Sequence, residues 1–185
     1  MNGEAGPPPE HRVSWLILAY RLPARRGLTA TIRRRLAATG AVYLANAVAA
    51  VPASPAAERA FRRLRSMIAE AGGSAQVLRA AAIEGGANLV EAFNAAREQE
   101  YAEIITGCGD LVAAIEDLTA AGRFGDSDLR EKDAALTRLS RRHDTIRARD
   151  TLGSANAEAA LSSLAKCREA LDDLARRADQ EPIPH

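Results

Sequence analysis

Ten arginines between positions 21 and 65 fall into three groups: Arg21, Arg25 and Arg26; Arg33, Arg34 and Arg35; and Arg59, Arg62, Arg63 and Arg65. A guanidinium is a planar fork of donors that pairs with phosphate and other tetrahedral oxyanions through two parallel hydrogen bonds. A surface that neutralises several phosphates gains affinity by releasing counterions, and its binding falls steeply with salt. The competing reading is a solvated helix face, or a face paired with acids elsewhere in the chain. No aromatic residues interleave these arginines, so the pattern does not describe a single-strand stacking groove.

The remaining reactive groups offer less. Cys108 and Cys167 are the only cysteines and lie far apart in sequence. They make neither a disulfide framework nor a CxxC clamp. Each falls on an apolar helical spacing, where a free thiol normally behaves as a small buried hydrophobe. His143 shares such a spacing, between Arg142 and Asp144. That predicts an interface histidine with its hydrogen bonds satisfied; an oxyanion or pH-sensitive contact is the alternative. His11 and His185 lie in the tails and complete no metal constellation with it. Arg149 and Asp150 read as a cap or an ion pair at a helix end. No Gly-rich loop has a nucleotide-binding spacing and no nucleophile–base pair can be placed, so neither a cofactor nor catalysis is expected.

These residues must be positioned by the elements around them. Val13–Leu22 is an apolar run closed by Pro23, which suits a buried strand. After a basic loop, Leu28, Ile32 and Leu36 recur every four residues up to Gly40, a helix with Arg33–Arg35 on its other side. Ala41–Leu44 and Val48–Val51 read as short strands around a turn at Asn46. Ser54-Pro55 starts a second helix that turns Phe61, Leu64 and Ile68 inward, and Gly72-Gly73 ends it. Ala75–Ile83 is a fourth strand. The order β-α-β-β-α-β is the ferredoxin-like pattern: an antiparallel sheet with two helices on one face. Its other face needs cover, from later helices or a second subunit.

The rest is helical. Asn88 caps a helix to about Ala121 whose Tyr101, Ile104, Cys108, Leu111, Ile115 and Leu118 step by three and four. Gly107 and Gly109 flank Cys108 and predict a close helix approach or a kink. A second helix spans Asp126–Arg149. A third, capped by Ser154, carries Ala157, Leu161, Leu164, Cys167, Leu171 and Leu174 inward. The fold class expected is α+β: a ferredoxin-like domain over 13–86 and an antiparallel helical bundle over 87–179. Residues 1–12 read as a disordered, Gly/Pro-rich tail and 180–185 as a C-terminal tail.

Charge is distributed unevenly. Residues 1–80 hold 12 Arg against 4 Glu, whereas residues 81–185 hold 13 Arg plus Lys against 20 Asp plus Glu. A basic front and an acidic back fit nucleic acid on the basic side, or attraction between the halves or between two copies. The chain shows no secretory h-region, and its apolar run at Val13–Tyr20 is far shorter than the ~20 residues of a spanning helix. A cytoplasmic protein without a membrane partner is expected.

Trp15, Leu22-Pro23, Arg34-x-Leu36, Gly40-Ala41 and Val51-Pro52, in that order, together with Arg147-Ala148-Arg149-Asp150 followed by Gly153, resemble the N-terminal domain of the chromate-resistance protein ChrB family. The resemblance runs from residue 13 to about 175. Two positions depart from it: Arg33 stands where the family has a Trp, and Asn46-Ala47 where it has an Asp-Gly-like turn. Longer members continue into a second domain where this chain stops; if sensing lies in that domain, this protein binds a partner without sensing chromate.

The resemblance implies a chromate-resistance accessory protein or a chromate-responsive transcriptional regulator; taken with the basic surface, the expected partners are DNA and chromate and the expected assembly is a homodimer. The site residues expected are Arg33, Arg34 and Arg35, with Arg21, Arg25, Arg26, Arg62 and Arg63. The alternative is a non-enzymatic interaction module that docks a partner chain. Small CRISPR-associated nucleases share the sheet but hold a metal with an Asp at the end of the first strand. Here that place is Arg21, which argues against metal-dependent cleavage. Thiols reduce chromate, but no catalytic constellation accompanies Cys108 or Cys167.

Overall fold

The computed structural model describes residues 13–122 and 125–180. The tail expectations, apart from residue 180, and the placements of His11 and His185 lie outside them. The elements are β1 (Ser14–Arg21), α1 (Leu28–Thr39), β2 (Val42–Ala45), β3 (Val48–Pro52), α2 (Pro55–Glu70), β4 (Ser74–Ala81), α3 (Gly86–Ala120), α4 (Asp126–Arg147) and α5 (Ala157–Gln180). The chain divides into two compact units, after Phe93 and therefore inside α3.

The first unit is the ferredoxin-like sheet, with strand order β2-β3-β1-β4 and every neighbour antiparallel. Side chains alternate across a strand. Leu16 and Leu18, with cross-strand partners Val51 and Ala49, therefore share one face, buried with Ile32, Leu36, Phe61, Leu64 and Ile68. Trp15 points to the other face, where the ring of Phe93 meets it edge-on at 6.0 Å. The first turns of α3 thus supply part of the cover that face needs.

Local rules explain most boundaries. The Ser54 hydroxyl accepts from Ala57 N–H at 3.1 Å, and Pro55 fills the first helical position. Gly73 is required by space: a Cβ there would stand 2.5 Å from the backbone oxygen of Arg21 and 2.9 Å from Ile68. The β2–β3 turn falls at Asn46-Ala47, where it was expected, and its left-handed residue is Ala47, at φ 61°. Its carbonyl accepts from the Tyr20 N–H at 2.9 Å, which ties the turn to β1. Left-handed backbone crowds the Cβ of a non-glycine residue. Ala47→Gly is therefore expected to stabilise the protein by about 1 kcal/mol, read as a raised midpoint in calorimetry; a lowered midpoint would contradict the turn assignment.

The second unit packs α3, α4 and α5 into a bundle. Its core joins Tyr101, Ile104, Cys108, Leu111, Ile115 and Leu118 to Leu136 and Ile146, and to Leu164, Cys167, Leu171 and Leu174. The seam predicted on α3 is therefore buried in full. On α5, Ala160 is inside and Leu161 is half exposed, one position off the expected stripe. Two caps also differ. α3 begins at Gly86, where Leu89 N–H bonds the Gly85 carbonyl, so Asn88 lies within the first turn. α5 begins three residues after Ser154, whose backbone carbonyl, not its hydroxyl, accepts from Ala157 N–H. The Ser154 N–H is held instead by Asp150 Oδ2 at 3.1 Å. Gly107 gives the close approach foreseen for it: a Cβ would meet Leu139 of α4 at 2.9 Å, while Gly109 faces open space. No described helix is long and apolar enough to cross a membrane.

Candidate nucleic-acid interface

α1 is framed by two left-handed glycines, Gly27 before it and Gly40 after it. Ile32 and Leu36 are fully buried against the sheet. Burial at 32 and 36 forces Arg33, Arg34 and Arg35 outward, and all three are exposed. α2 repeats the device: Ala57, Phe61, Leu64 and Ile68 are buried, and Arg59, Arg62, Arg63 and Arg65 are exposed. Both helices cover the same sheet face and pack on each other. Their outward arginines therefore look away from the sheet on one side of the unit. Arg21 ends β1, and Arg25 and Arg26 lie in the connection leading into α1; all three are exposed.

Two details order this surface. Burial first, then the neighbouring Tyr43 hydroxyl, pushes the Tyr20 phenol up to about 12, against the opposing field of Arg33. Glu58 receives Arg62 at 2.6 Å and Arg79 at 2.8 Å. Hydrogen bonding from Arg62, then its charge, holds the Glu58 carboxyl below its usual range. Arg62 is thus tied to an acid, whereas no ion pair engages Arg21, Arg25, Arg26, Arg33, Arg34, Arg35, Arg59, Arg63 or Arg65 among the described residues. Arg79 is the member that sequence reasoning missed. The signal available was the Glu58–Arg62 spacing of four, which marks a helical pair but does not reveal a third partner from β4.

The other predicted groups lie in the bundle, not in this surface. Cys108 and Cys167 are free and 2% or less exposed. The fold brings them together across α3 and α5: the Cys167 thiol donates to the Cys108 carbonyl at 3.3 Å. Sequence separation hid that pairing. Burial, then the neighbouring thiol, pushes Cys108 from 9.0 to about 12, and burial also raises Cys167. A thiol with a raised native value stabilises the fold fully below its unfolded value and loses that contribution as pH climbs through the native one. Stability should therefore decline between about pH 9 and 12 in alkaline titrations followed by circular dichroism. At neutral pH both thiols should react with a disulfide reagent only as fast as the bundle opens. Prompt labelling of native protein would contradict their burial.

His143 is buried beside Tyr101, ring centres 5.8 Å apart, with Nδ1 3.5 Å from Asp144. Its Nε2 has no hydrogen-bond partner among the described residues, so the fully satisfied histidine expected there is not what they form. Arg149 pairs with Glu100 at 2.6 Å, and Asp150 accepts from the Tyr101 hydroxyl at 3.3 Å. Both lock the helix end to α3. No group of three or more His, Cys, Asp or Glu among the described residues is placed to hold a metal.

The family model for the N-terminal part of protein ChrB matches residues 29–181. No curated protein and no solved structure is significantly similar to the chain.

Proposed function

The chain belongs to the ChrB N-terminal family and is a chromate-resistance-related protein; on that premise we propose that it is a cytoplasmic, chromate-responsive transcriptional regulator that binds DNA and catalyses no reaction. The observation that carries the reading is the set of exposed arginines on α1, α2 and the β1–α1 connection, nearly all without an acidic partner among the described residues. A solvated face needs charge, but it does not need this many like charges held side by side at the cost of mutual repulsion. Phosphate contacts supply the opposing charge, position the protein on the duplex and leave sequence readout to the few side chains that reach base edges. Arg33–Arg35 form the centre of the surface, flanked by Arg21, Arg25, Arg26, Arg62 and Arg63. A dimer would double the contacts and match a palindromic site. Chromate is the effector of this reading, competing for or releasing the guanidiniums that hold phosphate.

The test is fluorescence anisotropy of the protein on the DNA upstream of its own gene, against scrambled DNA, across a salt series with and without chromate. Tighter binding to the upstream sequence, a linear fall of log affinity with log salt, and release by chromate support the reading. Equal weak binding to both DNAs reduces the arginines to a generic basic surface. Specific binding indifferent to chromate removes the effector role from this chain.

A further inference from the structure

β4 ends the sheet and, among the described residues, pairs with β1 alone, in unbroken register over all eight positions. In such a strand every second residue turns its N–H and C=O away from the partner. The opposite edge is blunted, because β2 has four residues and a register shift between Tyr43 and Ala45. Brevity and irregularity are usual defences of an edge. β4 has neither, and no proline, and its Leu78 is 50% exposed. Between this edge and α2 lies a cleft of about 540 Å³, with Leu16 in its lining, Arg62, Arg65 and Ser66 on the helix side, and Leu78 and Arg79 on the strand side. Glu58 is its single acid and is already shared by Arg62 and Arg79.

We propose that the β4 edge and this cleft dock an extended acidic segment of a partner protein, which adds as a fifth strand. The backbone row supplies the main-chain hydrogen bonds, and Arg65 and Arg79 receive acidic side chains spaced two residues apart on one face of the added strand. Leu78 packs against the apolar residues that alternate with them. A second copy of β4 is the poorer occupant, because edge-to-edge self-pairing sets two basic clefts against each other. A nucleic-acid backbone is poorer too, since it cannot answer alternating N–H and C=O groups. The cleft shares Arg62 with the surface proposed for DNA but none of Arg33–Arg35, and its backbone row on β4 is no part of that surface, so the proposal does not need DNA to bind at α1.

The experiment uses the full chain with short synthetic peptides and follows hydrogen exchange along Ser74–Ala81. A peptide of alternating Val and Glu is expected to bind saturably and slow exchange at every second β4 amide. N-methylating the peptide nitrogens that face β4 should weaken it at least about tenfold, because backbone bonds are lost while charge is kept. A Val–Lys peptide, or the Arg65→Glu, Arg79→Glu variant with the Val–Glu peptide, should show no saturable binding. Unweakened binding of the N-methylated peptide, failure of the Val–Glu peptide to bind, or duplex DNA protecting the same β4 amides would each overturn the proposal. So would protection of those amides in the peptide-free protein, which would mean that a second copy covers the edge.

Discussion

Arg33→Ala, Arg34→Ala and Arg35→Ala in one chain are expected to cut affinity for the upstream DNA by roughly a hundredfold or more at moderate salt, and to flatten the salt dependence by about two to three ions. The flattening is the sharper signature, because each lost phosphate contact withdraws close to one released counterion. The fold should survive. All three side chains are exposed, the residues that seat α1 are Ile32 and Leu36, and alanine is the best helix former. An unchanged circular dichroism spectrum with lost binding assigns the loss to the surface. Unchanged affinity would remove α1 from the interface and leave α2 and the β1–α1 connection to be tested.

Glu100→Ala is expected to destabilise the bundle by about 3 kcal/mol. Glu100 spans two cations: Oε2 takes Arg97 Nε at 2.7 Å, and Oε1 takes Arg149 at 2.6 Å. Arg97 is 3% exposed, and burial is the main cause that lowers its pKa, opposed by Glu100. Taking away the shared carboxylate removes from Arg97 the main charge that offsets its desolvation, ahead of Asp150, and takes an acidic partner from Arg149. The measurement is urea unfolding of the full chain with Arg97→Met, Glu100→Leu, Arg149→Met as the comparison. Replacing all three members by apolar groups should recover much of the loss, because a buried ion network is costly mainly when one charge is removed and the others stay. A loss below about 1 kcal/mol in Glu100→Ala would show that water reaches the network.

The two outcomes rest on different degrees of legibility. The sheet and its two helices could be read directly because each element carries a local signature: Pro23 closing an apolar run, Ser54-Pro55 opening a helix, Ile32 and Leu36 fixing which way Arg33–Arg35 point. The bundle seam on α3 was legible for the same reason. What escaped were relations between distant residues. Nothing local says that Cys108 meets Cys167, that Glu100 joins Arg97 to Arg149, or that Arg79 shares Glu58 with Arg62. The caps failed where backbone did a side chain's work: Gly85 and Ser154 serve through their carbonyls, which every residue type carries. Asn46 marked the turn correctly, but turn propensity names only a neighbourhood, and the left-handed position falls on Ala47.

The seat of Phe93 against Trp15 bears on how the gene can be dissected. A fragment stopped where β4 ends would contain every strand and both basic helices, yet it would leave the indole of Trp15, now 2% exposed, facing water. Such a fragment should aggregate or stain with hydrophobic dyes, whereas one extended through Phe93 should behave as a folded piece. The arginine surface is thus complete in sequence well before it is complete as a stable object. Whatever is learned from isolated pieces of this protein depends on whether the first two turns of α3 travel with them.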